Sequence, residues 1–78
     1  MKTTAHFEDA IAVRRIARKW CERVVKHPVQ MEVQQNGRIR YWGLIEEVDK
    51  YLRVVLLDDF ETYHTACFDR NFGKKAKR

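Results

Sequence analysis

Two hydrophobic periodicities meet at the chain's one proline. Before Pro28, apolar residues Val13, Ile16, Ala17, Trp20, Cys21 and Val24 recur at the three-and-four spacing of a helix face, with no Gly or Pro between residues 7 and 26. The spacing predicts one amphipathic helix over residues 7–26. Lys26 and His27 suit the negative end of its dipole. Pro28 stops the helix, because it has no N–H and disfavours helical geometry at the residue before it.

After Pro28 the period becomes two. Val29, Met31 and Val33 alternate with Gln30, Glu32 and Gln34, and Asn36-Gly37 is a strong hairpin signal. Further strands are predicted at about 38–46, 51–57 and 61–68. A two-residue turn at Asn36-Gly37 sets residue 33 opposite 40 and 31 opposite 42. A three-residue turn at Glu47, Val48 and Asp49 sets 44 opposite 52, and a turn at Asp59 and Phe60 sets 56 opposite 63 and 54 opposite 65. One face then carries Val29, Met31, Val33, Arg40, Trp42, Leu44, Leu52, Val54, Leu56, Tyr63, Thr65 and Cys67, and is expected to receive the helix. The other face carries Tyr41, Arg53 and His64 among the aliphatic residues Ile39, Ile45, Val55 and Leu57. The middle turn is the sensitive one, since a slip of one residue there turns one strand over relative to the next.

The fold class that follows is α+β: one N-terminal helix packed on a four-stranded antiparallel β-meander. With 78 residues there is room for a single core, so residues 1–72 are expected to form one small domain and 73–78 a basic disordered tail. No apolar run approaches the roughly 18 to 20 residues of a membrane span, and MKTTAHFEDA lacks a signal-peptide core. The expected location is cytoplasmic, with no membrane partner.

Charge is unevenly distributed. Residues 1–26 hold seven Lys/Arg against three acidic residues, residues 29–72 hold five against eight, and the tail GKKAKR carries four positive charges. Arg14, Arg15, Arg18, Lys19, Lys74 and Lys75 are therefore the candidates for sequence-independent contacts with a nucleic-acid backbone. They are equally the residues a solvated helix face and a soluble tail would carry. Cys21 and Cys67 form no CxxC pair, and with His6, His27 and His64 they give no recognisable zinc spacing, so neither metal nor cofactor is implied. Both cysteines fall on apolar stripes and are expected to be buried free thiols.

The candidate catalytic residues are His64, Arg53 and Tyr41. A guanidinium can hold phosphate through two hydrogen bonds, an imidazole moves protons near neutrality, and a tyrosine stacks on a base or donates a hydrogen bond. Attack of an RNA 2′-hydroxyl on its own phosphate needs acid–base help and stabilisation of developing charge. As plain structure, the same residues would be cross-strand partners.

The strand YLRVVLL followed by ETYHTACFDR, with the order of elements and the chain length, resembles small RelE-like ribonuclease toxins, within the broader grouping of barnase-like and colicin-type nuclease domains. The resemblance covers roughly residues 7–72. It implies a toxin-like RNA-binding or RNA-cleaving protein of a bacterial toxin–antitoxin system, a metal-independent endoribonuclease whose partners are RNA and a cognate antitoxin. Its sheet residues Arg53, His64 and Tyr41 would do the chemistry. RelE-like toxins commonly carry a second N-terminal helix, which the predicted elements lack. The competing expectation is a noncatalytic interaction module that docks a partner, or a second copy in a homodimer, through Ile39, Ile45, Val55 and Leu57. A third is an accessory nucleic-acid-binding domain that works through its basic residues alone.

Overall fold

The helix predicted over residues 7–26 is broken in the middle. In a computed structural model, which describes residues 1–72, the segment forms α1 (Ala5–Arg14) and α2 (Arg18–Lys26). Phe7, Ala10 and Ile11 make the buried stripe of α1, while Cys21 and Val24 make that of α2. On one continuous helix, at about 100° per residue, these stripes would share a side and Ile16 would point away from it. The break carries Ile16 off the helix end into the core and leaves Val13 81% exposed. Arg15 takes the left-handed conformation at the break (φ 54°, ψ 47°). Its N–H bonds to the Ala12 carbonyl at 3.4 Å, and that of Ile16 bonds to Ile11 at 2.9 Å, which closes a Schellman-type cap.

Five strands follow the order β1-β5-β4-β3-β2 in one mixed sheet: β1 (Lys2–Thr3), β2 (Gln30–Val33), β3 (Ile39–Ile45), β4 (Lys50–Leu56) and β5 (Thr62–Phe68). The α+β class is as expected. The single helix and the four-stranded antiparallel meander are not, because β1 adds to the outer edge of β5 in parallel and leads straight into α1. A further helical turn spans residues 70–72. α1 packs on β5, and α2 packs across β3 and β4.

Two turns differ from expectation by one residue each, on either side of β3. At the first, Val33 pairs with Ile39, and only Gly37 takes positive φ (87°). Asn36 uses its side-chain Oδ1 to accept the Arg38 N–H at 3.0 Å, so the loop has three residues ending in a left-handed glycine rather than two. At the second, Ile45 pairs with Lys50 across a four-residue turn, with Asp49 at φ 52°. Arg23 of α2 grips Glu47 in that turn through two 2.9 Å hydrogen bonds, which holds the Glu47 carboxyl down at about 2.

The joint effect of the two turns is to turn β3 over. Ile39, Tyr41, Gly43 and Ile45 face the helices, and Arg40, Trp42 and Leu44 face away, while β2 and β4 keep the expected faces. Ile39 and Ile45 are fully buried in the core with Phe7, Leu52, Val54 and Leu56. Gly43 allows a close approach of α2, since a Cβ there would lie 3.0 Å from a methyl of Val24.

The last hairpin pairs Leu56 with Tyr63 as expected, but Val55 then pairs with Thr65 and Val54 with Ala66. His64 is the extra residue of a β-bulge. Beyond it the alternation of β5 shifts, so Ala66 is buried against the helices while Thr65 and Cys67 join the open face. Both cysteines are free, yet only Cys21 is buried, with burial pushing its thiol up to about 12. Cys67 is half-buried, with its Sγ 3.1 Å from the Arg53 guanidinium.

Candidate active site

The bulge, the start of α1 and the polar face of the sheet converge on one concavity. Thr4 caps α1: its hydroxyl accepts the Phe7 N–H at 3.1 Å and donates to the His64 carbonyl at 3.2 Å, with His64 Nδ1 also 3.4 Å away. This ties the first turn of α1 to the bulge. His6, in that turn, stacks on His64 with ring centroids 5.1 Å apart and planes 23° from parallel. The two imidazoles border a depression of about 340 Å³ that is also lined by Arg38, Arg40, Arg53 and Thr65.

Acidic groups hold two of the three arginines. Arg40 lies 3.7 Å from Glu32, and Arg53 lies 3.4 Å from Asp69. For Asp69, burial works to raise the carboxyl. Hydrogen bonds from the Trp42 indole and the Phe72 and Asn71 amides, together with the Arg53 charge, bring it below the ordinary range. Asp69 is thus a fixed anion that orients Arg53 within the sheet. For Arg38, no acidic side chain lies within ion-pair distance among the described residues. Desolvation first, then the positive charge of Arg38 and the neighbouring His6, lower the pKa of His64 below its ordinary 6.5. The shift favours the uncharged imidazole, the form able to accept a proton.

Of the three residues expected to act together, the structure brings Arg53 and His64 to the same depression and removes Tyr41 from it. Tyr41 points into the core because β3 is turned over, and burial raises its phenol pKa. The basic residues of the helices lie in the layer on the other side of the sheet. Arg14 reaches the Ala66 carbonyl at 3.4 Å, Arg15 forms the helix break, Arg18 is bound to Glu8 through both guanidinium nitrogens, and Lys19 is exposed. Lys74 and Lys75 lie outside the described residues, as does the tail to which they belong. The aliphatic patch expected on the open face does not form: Ile39, Ile45 and Val55 are buried, leaving Leu57 half-buried.

His6, Arg38 and Arg40 enter the site unanticipated by the sequence. The signal for His6 was Thr4, a residue type suited to an N-cap, which starts the helix at residue 5 and places His6 in its first turn. Arg40 was hidden by the turn lengths alone. Among the described residues, no group of three or more His, Cys, Asp or Glu side chains gathers as metal ligands would, and no helix is long and apolar enough to cross a membrane. Compared with protein-family models, curated proteins and solved structures, the chain matches none.

Proposed function

We propose that the protein binds RNA through its phosphodiester backbone and cleaves it by attack of the 2′-hydroxyl, with no metal required. The observation that carries this reading is the stacked His6–His64 pair beside Arg38, Arg40 and Arg53 in one depression. His64, whose surroundings favour the uncharged imidazole, takes the 2′-hydroxyl proton. The 2′-oxygen bonds to phosphorus, the bond to the 5′-oxygen breaks, and His6, as general acid, gives a proton to that leaving oxygen. The products are a 2′,3′-cyclic phosphate and a 5′-hydroxyl. The arginines neutralise the charge that builds on the nonbridging oxygens. His6 is exposed, so its ring has room to turn toward the leaving group.

If the chain acts as the RelE-like toxins that its sequence resembles, a cognate antitoxin is the expected protein partner. The test is cleavage of a labelled RNA by the wild type, His64→Ala and Arg53→Ala, with folding checked by circular dichroism. Removing a general base is expected to slow cleavage about 10²- to 10⁴-fold. RNA that is bound but uncut by the wild type would leave a backbone-binding protein without catalysis. Absence of both would overturn the proposal.

A further inference from the structure

The depression with the histidines opens, past Arg40 and Arg53, into a larger cavity of about 550 Å³ whose wall is aromatic. Trp42 and Phe72 stack with centroids 5.2 Å apart and planes 11° from parallel, and the Tyr51 ring meets the edge of Phe72 at 5.1 Å. Asp69 builds this wall. Its Oδ2 accepts the Trp42 indole N–H at 2.9 Å, and its Oδ1 accepts the Phe72 amide at 3.0 Å, which caps the turn that carries Phe72 back over the sheet. The same Oδ2 lies 3.4 Å from Arg53. One carboxylate therefore fixes both the aromatic wall and the guanidinium beside it. Gln30 and Asn71, whose side chains carry both donor and acceptor atoms, line the cavity as well.

We propose that this cavity is a nucleobase subsite, which holds by stacking the base of the nucleotide next to the phosphate at Arg53. The inference rests on the phosphodiester reading of the neighbouring depression and adds to it the class of group that orients the strand. Stacking fits the arrangement. A flat apolar wall accepts any base by its π-face, and the amides at the rim meet polar base edges. Arg40 and Arg53 line both cavities, so a phosphate held there lies beside the aromatic wall, as a phosphate in RNA lies beside the nucleosides it joins.

The probe is a 2′-O-methyl RNA trinucleotide, which has no nucleophile and is not cut, compared with the same backbone made abasic at its central position. Binding to the full chain is measured by calorimetry. The base-bearing probe is expected to bind about 5- to 100-fold more tightly than the abasic one, as stacking on a protein aromatic gives. Phe72→Leu, which keeps an apolar side chain and removes the ring, is expected to abolish that difference while leaving affinity for the abasic probe unchanged. Arg53→Ala is expected to weaken both probes. Equal binding of the two probes by the wild type, with both weakened by Arg53→Ala, would overturn the base subsite and leave the phosphate site standing. No binding of either probe would overturn both.

Discussion

The two faces of this sheet are built from the same strands and treat their side chains oppositely. The face under α1 and α2 is apolar and closed, with Ile39, Ile45, Leu52, Val54 and Leu56 at or near zero exposure. The other presents Arg40, Arg53, Thr65 and Cys67, and among the described residues it is covered at the end where Phe72 folds back onto Trp42. Every buried hydrophobic on the first face adds to stability in proportion to the area it removes from water. The second face spends its positions on charges that must be held in place by Glu32 and Asp69, which brings little stability and leaves the groups available to a ligand. The period-two alternation of the strands puts most buried apolar side chains on one face and the charged ones on the other, with Trp42 and Val55 as buried exceptions on the second.

That division should show in mutants. The largest effect is expected for Leu52→Ala on the closed face, about 2 to 5 kcal/mol of lost stability by urea unfolding, from lost transfer energy and the cavity left behind. Arg53→Ala, the adjacent residue on the open face, is expected to cost under about 1 kcal/mol in the same measurement. Equal losses would mean that the groove is part of the core. Next is Gly43→Ala, where a methyl group meets a methyl of Val24 at 3.0 Å and the Val24 side chain must give way. The expected cost is about 1 to 3 kcal/mol. Arg15→Gly tests the helix break and is expected to stabilise by about 1 kcal/mol, because glycine takes the left-handed conformation without the steric penalty. A loss there would show that the Arg15 side chain contributes more than its backbone strain costs.

The smallest effect belongs to acid pH. Glu8, Glu47 and Asp59 are held down at about 2 by hydrogen bonds: to Arg18 and Thr3, to Arg23, and to Thr62 and the turn amides. A carboxylate whose folded pKa lies below its ordinary 4.5 or 3.8 stabilises the native state above that ordinary value, and the contribution is lost as pH falls toward 2. Stability measured by urea unfolding should therefore decline between about pH 4.5 and 2. High salt should reduce the part due to the exposed ion pairs. A flat profile would show that these contacts are equally present in the unfolded chain.

The sequence made the strands legible and their pairing only in part. Alternation located β2 to β5 within a residue or two, and the faces of β2 and β4 are as expected, since each strand's own pattern determines them. β3 reads IRYWGLI, with large apolar groups on both sides, so its pattern does not choose a face. That choice came from the turns, and the length of each depends on which residue takes positive φ: Gly37 alone rather than Asn36 with it, and Asp49. The bulge at His64 and the parallel strand β1 are both made by long-range contacts of Thr3 and Thr4 with β5, which no local period encodes. Arg53 and His64 were within reach because one short hairpin carries both. His6 was not, because sixty residues of chain separate Thr4 from its partner.

The two tryptophans stand on opposite sides of the sheet. Trp20 lies in the helix layer, tilted against Phe68 at 6.4 Å, and Trp42 lies in the groove, flat on Phe72. The protein therefore carries two intrinsic fluorophores that report on different events. With Trp20 replaced by Phe, the remaining tryptophan emission comes from the groove alone, and quenching or a spectral shift on adding a nucleotide would report binding there. With Trp42 replaced instead, the signal follows docking of the helices, so the order in which the two faces assemble during refolding can be timed in a single chain without an added label.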